Sequence, residues 1–323
     1  MTKSVLITGT SGFLGGSLGK HLREKGYNVT GISRNPSRKG AVDKHITHDL
    51  SYPLPKEFPK HEVIFHAAAL TSPWANPKAF DRNIVQASKN IANYAQNIDG
   101  VRFINVSSTS VHYILDDQEN ISEETALPKV PANYYSGAKL NAEEYILNIL
   151  PSALSVRPRA IYGPGDTVLF PRLLRAARKG MLPKIIRSDG KSPKSDLIYI
   201  GNLVSILEKA IDCDAKGVVN VTDNNTIDTN ELLNKVFQAF GYQDTKLNMS
   251  ETTAMRIAKI AEWFSSKFTG WKEPPITQFG VSALVHTKTF DVTRMLEIFG
   301  QPEYSTENGI KSFVEWHKSQ MQE

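Results

Sequence analysis

Cysteine is nearly missing from this chain. Cys213 is the only one among 323 residues, which excludes an intrachain disulfide, leaves too little thiol for a cysteine-rich zinc site and suits a reducing, cytoplasmic setting. Long apolar runs are missing as well, since none approaches the ~20 residues that cross a bilayer. The start runs from Met1 straight into the strand-like SVLIT, without the basic region, apolar stretch and cleavage site of a secretory signal, so the expectation is a soluble chain that begins here. Eight histidines are present, but neither His45 with His48 nor His61 with His66 has further ligands converging on it. No metal is expected, and His66 reads as a residue packed at a strand end. Internal repeats and low-complexity linkers are absent too.

What remains is the composition of an ordinary globular protein, 40% hydrophobic and 22% charged, long enough to bury a full core. The formal charge of +5 is dispersed: RLLRAARK and IIRSDGKSPK interleave bases with apolar and turn residues. That spacing argues against a nucleic acid partner and suits an anionic cofactor.

Apolar, β-branched runs recur as SVLIT, NVTGIS, EVIFHAA, VRFINVSS and ALSVRP, with helix-length amphipathic segments between most of them. Strands alternating with helices imply an α/β fold, a Rossmann-type doubly wound parallel sheet covered on both faces. After RPRAIYGPGD the pattern turns helical (LFPRLLRAARKG, TNELLNKVFQAFG, TAMRIAKIAEWFSSKF). The expected organisation is a dinucleotide-binding domain over 1–161 and a smaller, mainly helical substrate lobe over 162–323. GVVNVT, near 217–222, reads as a strand returning to the first domain, so the two are interleaved.

The stretch VLITGTSGFLGG crowds Gly9, Gly12, Gly15 and Gly16 between the first strand and the first helix. In FLGGSLGKHLREKG, Leu14, Leu18 and Leu22 recur every four residues and Gly26 stops the helix. Glycine is costly in a helix. Here small residues let backbone approach a pyrophosphate, while the helix N-terminus supplies free N–H groups and a positive dipole end. At the end of the second strand, where an acid would accept the ribose hydroxyls of NAD, stand Ser33 and Arg34. Serine leaves room for a 2′-phosphate and the guanidinium can bond to it, which favours NADP(H) while leaving NAD(H) possible. The alternative reading of Arg34 is a solvated surface charge, as Arg38 and Lys39 are read to be. Asp49, in THDL, is placed either to contact adenine or to cap a turn.

The chemistry is carried by ANYYSGAKLNAEEYILNIL, a predicted helix with Tyr135 and Lys139 at i and i+4 on one face. It follows INVSSTSVHY, a buried strand ending in hydroxyl residues at the ligand-binding edge of the sheet. A free phenol titrates near ~10. An ammonium ~4 Å away at an effective dielectric of ~20 favours phenolate by ~4 kcal/mol, roughly three pKa units. Tyr135 is therefore expected to have a lowered pKa and to act as acid and base, with a neighbouring hydroxyl holding the substrate oxygen. Ser110 and His112 lack the glycines of a nucleophile elbow, so no hydrolase is read here.

TGTSGFLG, HAAA, VSSTSV, YSGAK and RPRAIYGPGD, in this order, resemble the extended short-chain dehydrogenases/reductases, the NAD-dependent epimerase/dehydratase superfamily. The resemblance covers nearly the whole chain. It implies that Ser108 is the catalytic serine, Tyr135 the acid/base, and Lys139 the residue that lowers its pKa and binds the nicotinamide ribose. Gly9, Gly12 and Gly15 would line the pyrophosphate, with Thr10, Ser11, Phe13 and Leu14 in the same turn. Ala67, Ala68 and Ala69 would face the cofactor's inner side. Further contacts are expected from Asp49, Leu50 and Ser107, and from Pro158, Ala160 and Ile161. Ser72, Trp74, Val111 and Tyr162 are the candidate substrate-pocket residues, with Trp263 and Trp271 possible additions.

SPW, DLIYIGN and the late EPPITQFGVSALVHTKTFDVTRMLEIFG are similar to the branch of 3β-hydroxysteroid dehydrogenases, sterol 4-carboxylate 3-dehydrogenases and bacterial β-keto acid reductases. Arg34 falls where dihydroflavonol-type reductases carry an NADP-selective arginine. A helix asparagine often seen in a fourth catalytic role falls on Ile84, with Asn83 one residue early. The resemblance implies an oxidoreductase that interconverts a hydroxyl and a carbonyl on a mainly apolar small molecule (steroid-like, β-keto acid, aldehyde or ketone), working as a homodimer. A nucleotide-sugar epimerase or dehydratase is an alternative that Ala160 disfavours, because those enzymes usually carry an asparagine there. A catalytically silent NADP-binding regulator is another, although both Tyr135 and Lys139 are kept. TAMRIAKIAEWFSSKFTGW is read either as a lid helix closing the pocket or as a surface for peripheral membrane contact.

Overall fold

The computed structural model describes residues 3–178, 184–242 and 248–321. Four of the apolar runs and the more exposed KHIT become parallel strands: β1 (Ser4–Thr8), β2 (Asn28–Ser33), β3 (Lys44–Thr47), β4 (Val63–His66) and β5 (Arg102–Val106). β6 (Gln118–Ile121) leaves for a small second sheet, and β7 (Leu154–Pro158) returns. Across the main sheet the order is Gly217–Val221, β7, β5, β4, β1, β2, β3, parallel throughout. The strand order reverses beside β1, between β2 and β4, and such a reversal opens a crevice at the carboxyl ends of the strands.

Period-two alternation divides the core into two layers. Val5 and Ile7 pack with Leu14, Leu18 and Leu22 of α1 (Phe13–Glu24) on one face of the sheet. Leu6, Ile32, Ile64 and Phe103 pack with Ile91 and Ile146 on the other. α1 ends as its sequence requires, with Gly26 at φ +89°. α2 (Pro77–Phe80) and α3 (Ala87–Ala95) are joined by a π-helical turn, Asp81–Gln86. Such a turn takes up an extra residue and rotates the side chains after it.

α4 (Tyr134–Ile149) lies over β7 on a buried polar seam. Arg157 Nε donates to Glu143 Oε2 at 3.0 Å, and the Ser155 hydroxyl donates to the same oxygen at 2.9 Å. Asn105 completes the group through Ser155, and Arg157 Nη1 lies 2.8 Å from His112 Nε2. Both ends of the ion pair are buried.

Beyond Tyr162 the chain is mostly helical: α5 (Leu169–Arg178), α6 (Ile200–Lys209), α7 (Thr229–Ala239), α8 (Glu251–Phe268), α9 (Gln278–Val285), α10 (Thr293–Phe299) and α11 (Thr306–Ser319). Lys179 and Gly180, at the end of the stretch read as α5, lie outside the described residues. Leu203, Ile206 and Leu207 of α6 belong to the same core layer as α1. Among the described residues no helix is long and apolar enough to cross a membrane.

Replacing Glu143 by Gln leaves the Arg157 charge buried without its counter-ion, and removing one partner of such a pair typically costs about 3–5 kcal/mol. Urea unfolding of Glu143→Gln is expected to show a loss of that size, and a midpoint equal to the wild type would contradict the seam's role.

Candidate active site

Gly9 stands at φ +80°, and a Cβ there would meet Ala68 Cα at 2.9 Å. A Cβ at Gly15 would strike the Gly9 carbonyl. These two glycines therefore let the β1 turn close against both α1 and the loop after β4. Gly12 caps α1 with no side chain, so the first-turn N–H groups have no side-chain partner. Thr8 holds the facing loop, its hydroxyl accepting from Ala67 N–H and Ala68 N–H at 3.1 and 3.0 Å. His66 packs behind, between Thr8 and Ser88 at 3.0 and 2.9 Å, its pKa lowered to about 3 by burial and by the charge of Lys139. Thr10, expected at the cofactor, is fully buried behind the turn, 2.6 Å from the Ser37 hydroxyl, and does not line the cleft.

The other expected cofactor residues line one cleft of about 1050 Å³: Gly9, Ser11, Gly12, Phe13, Leu14, Gly15, Ser33, Arg34, Asp49, Leu50, Ala67, Ala68, Ala69, Ser107, Pro158, Ala160 and Ile161, together with Ser108, Tyr135 and Lys139. Ser33 is buried and donates to Asn35 O at 2.7 Å. Arg34 is exposed and donates to Asn83 Oδ1 at 3.0 Å. Arg38, read from sequence as a solvated charge, is instead a cleft residue. Its guanidinium lies 5.9 Å from the Phe13 ring and donates to Gly165 O at 3.2 Å, and burial lowers its pKa. Asp49 takes the turn-capping role its sequence left open and also stands on the cleft wall. It caps a turn by accepting Ser51 N–H at 3.0 Å, pairs with Arg82 at 2.7 Å, and still lines the cleft.

Asn133 starts α4 by accepting Ser136 N–H at 2.8 Å, which sets the helix phase that turns Tyr135 and Lys139 into the cleft. Ser108 ends the loop after β5 and accepts Ser110 N–H at 3.2 Å, leaving its own proton to donate. The electrostatics differ from expectation. Burial pushes the Tyr135 phenol up to about 12, with the Ser108 hydroxyl pulling the other way. Lys139 is not among the groups that shift it. Its ammonium donates to Val106 O at 2.9 Å, and burial lowers its pKa to about 8 against the opposing charge of Glu143 one turn on. Desolvation outweighs a charge aimed at another acceptor, so the protein alone holds the phenol protonated.

None of the four substrate-pocket candidates lines the cleft. The Ser72 hydroxyl turns to Glu273 at 3.0 Å, and the Trp74 ring packs 5.2 Å from Trp271, its N–H donating to Ser265 at 3.0 Å. Val111 is buried in a 3₁₀ turn. Tyr162 is fully buried and donates to Asp223 at 2.9 Å. Thr71 and Pro73 line the wall where Ser72 and Trp74 were expected, and Tyr113, Arg159, Ile276 and Phe279 line the same cleft. Neither Trp263 nor Trp271 lines it. The apolar side of α8 is not a lid's inner face: Ile260, Trp263, Phe264 and Phe268 are exposed, and only Ile257 reaches the cleft. The π turn buries Ile84 and leaves Asn83 on the cleft wall, so the residue one position early in sequence is the one that faces the site. Arg159 and Tyr113 stand inside RPRAIYGPGD and INVSSTSVHY but were given no role there, and for Arg38 an arginine four residues past Arg34 was the one available signal.

The family model for the NAD dependent epimerase/dehydratase family matches residues 5–222. The chain belongs to that family. It is 28% identical to the 2-alkyl-3-oxoalkanoate reductase of Stenotrophomonas maltophilia, over 95% of this chain and 97% of the relative. It is 26% identical to the decarboxylating sterol-4-alpha-carboxylate 3-dehydrogenase of Saccharomyces cerevisiae, over 97% of both chains. Among solved structures, MoeE5 in complex with UDP-glucose and NAD is similar in fold, with a TM-score of 0.75 and 23% identity over 98% of this chain and 99% of that one. As a family member the protein is an NAD(P)-dependent oxidoreductase. Its residues fit such a cofactor: the glycine turn brings an uncapped helix N-terminus to the cleft, as a pyrophosphate requires.

In a spectrum of protein carrying ¹³Cε-labelled lysine, the Lys139 signal is expected to titrate near 8, against about 10.5 for exposed lysines, and to vanish in Lys139→Met. A Lys139 signal titrating above 10 would contradict the burial.

Proposed function

We propose that this enzyme is an NADP-preferring reductase or dehydrogenase that interconverts a hydroxyl and a carbonyl on a mainly apolar substrate. The observation that carries the reading is the meeting of two hydroxyls, Tyr135 and Ser108, on the wall of a cleft backed by Lys139 and continuous with the glycine turn. The relatives named above add support, since both are named for redox chemistry at an oxygen-bearing carbon.

The cofactor, when bound, supplies or takes up the hydride. Gly9, Gly12 and Gly15 leave backbone N–H groups open to its pyrophosphate, and Ala67 to Ala69 form the inner wall. Lys139 holds the nicotinamide ribose. In the reductive direction Ser108 donates to the substrate oxygen and fixes its place, and Tyr135 gives its proton to that oxygen as negative charge develops there. A phenol held near 12 is protonated at neutral pH and so enters the reductive step in its working form. In the oxidative direction Tyr135 must accept the proton, and the nearby ammonium then stabilises the phenolate once it is released from the Val106 carbonyl. Asn83, on the same wall, is a further polar contact available to the site.

The preference for NADP rests on two guanidiniums. Arg34 and Arg38 line the cleft around Ser33, which stands at the strand end where an NAD enzyme would carry an acid. A charge-assisted hydrogen bond contributes about 1.5–3 kcal/mol.

Loss of NADPH absorbance against apolar ketones and keto acids, with sugar nucleotides run alongside, is the direct assay. Tyr135→Phe is expected to lower turnover by about 10²–10⁴-fold while NADPH fluorescence still reports binding. Full activity in that variant, or redox-neutral conversion of a sugar nucleotide, would overturn the reading. Arg34→Asp is expected to weaken NADPH about 10–100-fold, in line with the loss of one charge-assisted bond, and to leave NADH within a few-fold; equal losses for both would remove the 2′-phosphate contact.

A further inference from the structure

The substrate half of the cleft contains a cation for which the proposed reaction has no use. Arg159 follows β7, and its N–H donates to Val221 O at 3.1 Å, which pins the residue between two strand ends. Its side chain is 8% exposed and lines the cleft. Nη2 donates to the Ser195 hydroxyl at 2.9 Å, and the guanidinium carbon lies 5.3 Å from the centre of the Tyr113 ring. Nε is buried with no hydrogen-bond partner.

Arginines this buried are ordinarily paired with a carboxylate. Among the described residues none comes within ion-pair distance of Arg159. Asp196, next to the Ser195 that Arg159 bonds, feels the guanidinium's charge, but its two oxygens accept from the Thr226 hydroxyl at 2.6 Å and from Phe290 N–H at 2.7 Å. Lys288, also 5.2 Å from the centre of the Tyr113 ring, has its ammonium bonded to Ile114 O, Asp116 O and Gln118 Oε1, so it adds positive field without offering a free donor. The Ser110 hydroxyl, buried on the same cleft wall, also has no partner. The surroundings are otherwise apolar, with Tyr113 stacked on Phe279 at 5.9 Å.

We propose that Arg159 receives a carboxylate of the substrate, so that the molecule interconverted at its hydroxyl or carbonyl is an acid with an apolar chain. The guanidinium fork suits a planar two-oxygen anion, and among the described residues neither Nη1 nor Nε has an acceptor. Tyr113 lies against Arg159, and both line the same cleft as Ser108 and Tyr135, so an acid held by Arg159 lies in the cavity where the chemistry takes place. The inference rests on the redox reading above, and its test separates the two.

The probes are 3-hydroxydecanoate and its methyl ester, oxidised with NADP⁺, and the binding of decanoate against decanamide by calorimetry in the presence of NADPH. The wild type is expected to prefer the acid by at least about 10-fold in kcat/KM, since one charge-assisted bond contributes about 1.5–3 kcal/mol. Arg159→Gln should raise KM for the acid by a similar factor, leave the ester within about three-fold and lose decanoate binding, with Arg159→Lys recovering part of it. Equal use of acid and ester by the wild type, or unchanged decanoate affinity in Arg159→Gln, would overturn the assignment while the redox reading stands. Should Arg159→Gln unfold, the wild-type acid-to-ester ratio and Arg159→Lys decide. Decanoate binding that depends on Arg159, with no oxidation or reduction of any probe, would support the anion site and count against the redox reading.

Discussion

A guanidinium and a carboxylate buried against each other fix where the chemistry of this protein can take place. Arg157 leaves β7 and Glu143 leaves α4, and their bonds with Ser155 and His112 lock the helix onto the sheet at one height and one rotation. Along that helix Tyr135, Lys139 and Glu143 stand at i, i+4 and i+8 on one face. The buried anion therefore anchors the helix and opposes the desolvation of the lysine one turn away. Hydrophobic packing alone would hold α4 less specifically, because apolar faces tolerate rotation that a bidentate pair does not.

Burial sets the resting state of the two central groups. The phenol is pushed up to about 12 and the amine down to about 8, both toward their neutral forms. A site prepared in this way stores the proton on the group that will donate it. Charge that appears during the reaction then meets fixed donors in a medium where such contacts are strong.

The cleft is apolar along much of its wall; besides Lys139 and Arg172, which is paired with Glu273, positive charge stands at two further places. Arg34 and Arg38 stand at the end where β2 finishes, and Arg159 stands in the substrate half. The two ends differ in how their charge is held. Arg34 is exposed and shares an amide with Asn83, whereas Arg159 is buried with a donor to spare. A solvated charge suits recognition of a phosphate that arrives with the cofactor; a buried one discriminates more sharply, because leaving it unmatched is costly.

Local chemistry made the fold and the centre of the site legible in the chain. Period-two apolar runs alternating with amphipathic helices define a parallel sheet, the glycines between β1 and α1 require a close backbone approach, and four-residue spacing puts Tyr135 and Lys139 on one face whatever else the chain does. Properties that depend on contacts distant in sequence were not legible. Thr10 and Tyr162 went behind the cleft because Ser37 and Asp223 were there to bond them. Arg38 entered it against Phe13 and Gly165, and a π turn exchanged Asn83 for Ile84 on the wall. The sign of the shift at Tyr135 also reversed, since the spacing of a lysine says how near it is and only the packed structure decides how deeply the phenol is buried and which acceptor the ammonium has already found.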